Sequence, residues 1–189
     1  MMILVVDCRD SFVHNLVAMI RSAGIETLVV DEMDMDGISG CRPDAVVLSP
    51  GPGRPSSDRG SWRAFELYRG KVPILGVCLG LQTVCAACGG RIVKGDTPVH
   101  GKVVSVRHNG TGLMEDMPQD FHAVRYNSLK VDPDDPGTGI RIDALDDRGD
   151  VMAVSCEDED IFAVQFHPES FLTEHGKTIV DWFLRRAGL

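Results

Sequence analysis

Through the first ninety residues, short apolar runs alternate with stretches of helical periodicity, and this alternation restricts the fold more than any other feature. Met2-Ile3-Leu4-Val5-Val6 lacks the polar alternation of a half-exposed strand, so it reads as a strand covered on both faces. Residues 11–23 then place Phe12, Leu16, Met19, Ile20 and Ala23 at helical spacing, with Ser11 as the expected N-cap and Gly24 as the stop. Residues 25–30, 45–48 and 73–77 read as further strands, with helices over 58–69 and 79–88 closed by Gly70 and by Gly89-Gly90. Parallel neighbours need a crossover, and a helix is the usual one, so this order predicts a parallel sheet.

The pattern changes after residue 100. Residues 101–107, 120–126, 140–145, 150–156 and 161–166 read as strands joined by Gly-, Asn- and Asp-rich turns. No helical pattern separates them, which predicts antiparallel pairing. A closing amphipathic helix covers 173–187. The expected fold is α/β: a flavodoxin-like three-layer sandwich, with a largely parallel central sheet and antiparallel strands in the C-terminal half. No linker, repeat or low-complexity stretch interrupts it, so residues 1–189 read as a single domain.

Charge and cysteine content exclude some functions. A formal net charge of -9 and a pI near 5.0 argue against nucleic acid or an anionic membrane as the main partner. No apolar run is long enough to span a bilayer, and the N-terminus reads as a first strand, not a signal peptide, so a cytoplasmic location is expected. The six cysteines are then expected to be reduced. Cys85-Ala86-Ala87-Cys88 has redox or zinc spacing but no second ligand pair, and it reads as helix packing. The six histidines show no zinc-type spacing, and no Walker-type phosphate loop is present, so no metal and no cofactor is expected in this chain.

Gly76-Val77-Cys78-Leu79-Gly80 carries the strongest chemical signal. It puts a cysteine between a buried strand and a helix, where a sharp turn needs small residues on both sides. Unpaired N–H groups at the helix start favour a thiolate, and the Leu79 N–H is free to donate to an oxyanion. A buried cysteine in a glycine-rich turn would look the same in isolation. Cysteine chemistry needs a base, and His167-Pro168-Glu169 offers one at the end of the 161–166 strand. Pro168 pushes His167 into extended backbone, where residues i and i+2 face the same side. Glu169 can then orient the imidazole and favour its charged form. Ser49-Pro50-Gly51-Pro52-Gly53 follows another strand end, and its glycines free the backbone for close approach to a ligand. A rigid turn is the simpler reading of that segment alone.

Together and in this order, these motifs resemble the class I glutamine amidotransferases along essentially the whole chain. Asp10-Ser11-Phe12-Val13-His14-Asn15-Leu16, Pro98-Val99-His100-Gly101-Lys102, Arg125-Tyr126-Asn127-Ser128-Leu129 and Thr173-Glu174-His175-Gly176-Lys177 resemble the small subunits of chorismate-using synthases. That group comprises anthranilate synthase component II and the glutaminase of aminodeoxychorismate synthase. The resemblance implies hydrolysis of L-glutamine by Cys78, His167 and Glu169. Ammonia would pass to a larger, chorismate-binding, magnesium-using synthase subunit, with anthranilate the favoured product. It implies oxyanion donors at Leu79 and Gly51, with Gly53 in the same loop. Gln82 would hold the amino-acid end of glutamine, helped by the main chain of Ser128 and Leu129. The interface is expected on the carboxyl-end face of the sheet, near Ser11, His100 and Lys102. Leu81 and Asn127 stand where the family pattern has histidines, and both are expected to flank the glutamine pocket. Two other readings stay open: a stand-alone hydrolase of the same fold, and a synthase-binding scaffold without turnover.

Overall fold

The computed structural model describes residues 1–38, 40–95 and 101–189. Among them, fifteen elements follow in order: β1 (Met2–Asp7), α1 (Val13–Ser22), β2 (Glu26–Asp31), β3 (Ala45–Leu48), α2 (Gly60–Tyr68), β4 (Ile74–Val77), α3 (Leu79–Ala87), β5 (Ile92–Lys94), β6 (Lys102–His108), β7 (Phe121–Arg125), β8 (Leu129–Val131), β9 (Arg141–Asp146), β10 (Val151–Cys156), β11 (Ile161–Val164) and α4 (Gly176–Arg186). Nine strands form one sheet in the order β2-β1-β3-β4-β11-β10-β9-β6-β7. It is parallel from β2 to β11 and antiparallel from β11 to β7, as the change of pattern near residue 100 predicts.

Alternation along the strands builds the three layers. Ile3, Val5, Val47, Leu75 and Val77 face α1 and α4, packing with Leu16, Ile20, Ile179 and Phe183. Leu4, Val6, Val46, Leu48 and Ile74 face the other way, against Phe65 and Tyr68 of α2 and Leu79 and Val84 of α3. Side chains one residue apart point to opposite faces, so continuous apolar runs fill both cores.

Two expectations need correction, and two pairings lie beyond what the pattern reports. β11 pairs antiparallel with β10, as expected, and also lies parallel to β4, with Val164 opposite Val77. Periodicity reports burial on both faces but not which strands lie alongside. Ser11 is not the N-cap of α1. That helix begins at Val13, and the Asp10 carboxylate accepts the Phe12 N–H at 2.7 Å, making an Asx turn that includes Ser11. The last helix begins at Gly176, not residue 173, because the Thr173 hydroxyl is engaged outside it, donating to the His167 carbonyl at 2.7 Å and accepting the Val124 N–H at 3.1 Å. Finally, β5 and β8 form a two-stranded sheet of their own, three residues each, too short to leave a pattern. Cys85 packs as expected, in an apolar cluster with Leu81, Val131, Val151, Val154 and Ala163, and burial pushes its thiol up. Among the described residues, no helix is long and apolar enough to cross a membrane.

Candidate active site

The register of β4 with β11 brings the two chemical motifs together, because each lies just past one of these neighbouring strand ends. Cys78 follows β4 and starts α3, and its N–H donates to the Val164 carbonyl of β11 at 2.8 Å. Its φ of 53° and ψ of -99° put a non-glycine residue in left-handed backbone. Such a position costs about 1–3 kcal/mol and persists only where its surroundings enforce it. The glycines on both sides supply the enforcement. A Cβ on Gly76 would lie 2.7 Å from the Gly80 carbonyl carbon, and one on Gly80 would lie 2.3 Å from the Leu48 carbonyl oxygen. Strand and helix therefore pack backbone to backbone around the cysteine. The sulfur sits at the N-terminus of α3, where the helix dipole favours a thiolate. Gln165 Nε2 donates to it at 3.5 Å.

His167 is buried behind the sulfur. Its Nδ1 lies 2.7 Å from Glu169 Oε1; a carboxylate only accepts, so Nδ1 carries a proton. Phe12 and Tyr126 pack edge-to-face with the imidazole, with centroids 5.6 and 5.2 Å away. Nε2 is buried and makes no hydrogen bond, as is true of Glu169 Oε2. Burial works against the imidazolium, but the neighbouring Cys78 sulfur and then the Glu169 carboxylate more than offset it. The pKa is pushed up to about 10. With Nδ1 committed to Glu169, Nε2 is the ring nitrogen that can give or take a proton.

In front of the sulfur lies a cavity of about 480 Å³. Gly51, Gly53, Cys78, Leu79, Gln82, Ser128 and Leu129 all line it, together with Ser11, Tyr126 and Asn127. His167 and Glu169 are not on its wall; both are buried. Gln82 Nε2 is committed to the Leu129 carbonyl at 2.9 Å and to Gln165 Oε1 at 3.1 Å. That leaves Gln82 Oε1 as the atom suited to an incoming N–H donor. Gly51 packs so closely that a Cβ there would lie 2.5 Å from Cys8 Cβ and 2.8 Å from Leu79 Cδ2. Arg59 ties the loop down: it donates to the Pro52 carbonyl at 2.7 Å and pairs with the buried Glu32 carboxylate at 3.0 Å.

Two sequence expectations about this pocket divide. Asn127 lines the cavity as expected, but Leu81 does not flank it. Its side chain is fully buried in the apolar cluster around Cys85, because helix geometry turns it away from its neighbour Gln82. Leu81 is thus a packing residue. Pro98, Val99 and His100 lie outside the described residues. Lys102 is exposed at the start of β6, opposite Arg125 of β7, whose successor Tyr126 lines the cavity. Sequence reasoning missed Gln165, Arg59 and the two rings around His167. The available signal for Gln165 was a polar residue closing an otherwise apolar strand run; the structure buries it fully.

The family model described as glutamine amidotransferase class-I matches residues 4–187. The chain is 40% identical over 186 residues to the bifunctional protein TrpGD of Thermotoga maritima; the match covers 96% of this chain and 32% of that protein. The chain thus spans about a third of that relative's length. It is 38% identical to anthranilate synthase component 2 of Methanothermobacter thermautotrophicus, covering 97% of this chain and 98% of that protein. It is 37% identical to the aminodeoxychorismate/anthranilate synthase component 2 of Bacillus subtilis, covering 97% and 95%. The crystal structure of a glutamine amidotransferase from Thermotoga maritima shares the fold, with a TM-score of 0.78 at 14% identity over 98% of this chain and 97% of that one.

Proposed function

The chain belongs to the class-I glutamine amidotransferases, and we propose that it is the glutaminase subunit of a chorismate-aminating synthase. One observation carries the reading. The strained Cys78 stands at a helix N-terminus between a Glu169-paired His167 and a cavity lined by Gln82, Gly51 and Leu79.

Glutamine enters with its carboxamide toward Cys78 and its amino-acid end toward Gln82 and the Ser128–Leu129 main chain. Gln82 Oε1 accepts from the α-ammonium. The thiolate attacks the carboxamide carbon, and the N–H groups of Leu79 and Gly51 receive the oxyanion. The His167 imidazolium gives its Nε2 proton to the leaving nitrogen, so ammonia departs and a γ-glutamyl thioester remains. His167 Nε2, now neutral, takes a proton from water as its oxygen attacks the thioester. Collapse releases glutamate and restores the thiolate and imidazolium. Glu169 fixes the tautomer and stabilises the imidazolium each time it forms.

Ammonia set free in water is mostly protonated and lost to the synthase, which favours turnover only in a complex. Phe171, 94% exposed two residues beyond Glu169, is apolar surface beside the triad that a partner would cover. The partner would be the larger chorismate-binding subunit, and the product most consistent with the relatives' names is anthranilate. The Bacillus subtilis relative carries the aminodeoxychorismate name as well, so the second reading is the same subunit chemistry with a different partner. Glutamate release assayed with and without the reconstituted synthase tests the reading. Weak activity alone and stimulation in the complex are expected; full activity in isolation, or none in the complex, would overturn it.

A further inference from the structure

Arg125, at the end of β7, is 2% exposed, and a guanidinium is tolerated at such depth only when its donors are taken. Its Nη1 donates to Asp146 at 2.5 Å and to Asp150 at 3.0 Å. Asp150 also accepts from Lys130 Nζ at 2.5 Å, and the N–H groups of Arg148 and Asp150 close on Asp146 Oδ1. The third edge of Arg125 faces the cavity wall: Nε donates to Asn127 Oδ1 at 3.1 Å. A guanidinium cannot accept, so the amide oxygen of Asn127 must face it, and its NH₂ must face away. That NH₂ donates to the Leu129 carbonyl at 2.8 Å, the same oxygen that Gln82 Nε2 holds at 2.9 Å. One amide therefore joins a buried charge cluster in the antiparallel half of the sheet to the carbonyl that orients Gln82.

We propose that Asn127 is a positioning residue for glutamine, which anchors the Leu129 carbonyl to the Arg125–Asp146–Asp150 cluster and so sets Gln82 and the 127–129 main chain against the amino-acid end of the substrate. The proposal rests on the glutaminase reading above. Asn127→Asp keeps an acceptor for Arg125 but turns the donor to Leu129 into a charged acceptor, whereas Asn127→Ser removes the amide donor without adding charge. Asn127→His restores one acceptor and one donor while the imidazole is neutral.

The test uses the full chain and two electrophiles at pH 8. A chloroketone analogue of glutamine carries the amino-acid end, and the Cys78 thiolate displaces its chloride after saturable binding. Iodoacetamide reacts at the same sulfur without that end. Asn127→Asp should raise the half-saturating chloroketone concentration about tenfold, the factor that one buried hydrogen bond supplies. Its iodoacetamide rate should stay within about twofold of the parent, and Asn127→His should recover most of the affinity. Asn127→Ser, which adds no charge, should show the same loss with the chloroketone and the same unaffected iodoacetamide rate. Unchanged saturation, or an equal loss with both electrophiles, overturns the positioning role. No saturable labelling of the unsubstituted chain overturns the glutaminase reading, and the proposal with it.

Discussion

Gly51→Ala separates packing from chemistry in the loop that faces the nucleophile. The added Cβ would lie 2.5 Å from Cys8 Cβ, 2.7 Å from the Cys8 carbonyl oxygen and 2.8 Å from Leu79 Cδ2. None of the three yields easily. Cys8 is fully buried, with its N–H held by Ser49 Oγ at 2.9 Å, and Leu79 is the first residue of α3. Ordinary carbon contacts start near 3.5 Å, so the loop must retreat by roughly 1 Å. Overpacking of this kind costs about 1–3 kcal/mol, which for a chain of this size lowers Tm by between about 2 and 12 °C. A shift of that size also misplaces the Gly51 N–H, and loss of one oxyanion donor should lower kcat about 10²-fold or more. KM should move far less. Thermal melts and steady-state glutamate release in the complex measure both. Gly53→Ala is the control: its φ of 86° predicts backbone strain, but the nearest atom to a Cβ is Arg59 Nη1 at 3.2 Å, so kcat should suffer less. An unchanged Tm for Gly51→Ala would refute the close approach. A lowered Tm with kcat intact would refute an oxyanion role for the loop.

Three further perturbations bear on the triad. Glu169→Gln keeps an acceptor for His167 Nδ1 but removes the charge that supports the imidazolium, so kcat/KM should fall about 10–100-fold; an unaffected rate would remove Glu169 from the triad. Cys78→Ser takes away the strongest influence raising the His167 pKa while leaving the opposing burial in place. In an NMR titration the parent ring should stay protonated through neutral pH and lose its proton near pH 10, and the variant should lose it at lower pH. Identical titrations would contradict the sulfur–imidazole coupling. Gln165→Glu replaces the N–H donor at the sulfur with a carboxylate, so alkylation of Cys78 by iodoacetamide should slow about tenfold; an equal or faster rate would show that the contact does not hold the thiolate.

What the sequence makes legible follows from how local each device is. The nucleophile turn is local: Gly76 and Gly80 flank Cys78 because strand and helix touch backbone to backbone there, and glycine spacing reveals it. The pairing of His167 with Glu169 is local too, since extended chain places i and i+2 on one side. The parallel and antiparallel halves follow from the presence or absence of helices between strands. The glutamine end of the cavity is not local. Ser128 and Leu129 reach it through a three-residue strand paired with β5, and Asn127 owes its orientation to Arg125 and to carboxylates about twenty residues away. The position of Leu81 depends on the face of α3 that meets β8, β10 and β11, which adjacency to Gln82 in sequence does not convey. Gln165 points to the sulfur only because β11 lies beside β4.

The central claim is that Cys78 carries the glutamyl group between two half-reactions. Acid quenching of the complex during turnover of L-glutamine, followed by mass spectrometry of the Cys78 peptide, tests it most directly. A γ-glutamyl adduct on Cys78 that hydroxylamine releases is expected, and Cys78→Ala should lose it together with all glutamate formation. Sustained glutamate release by Cys78→Ala, or an adduct on another cysteine, would contradict it.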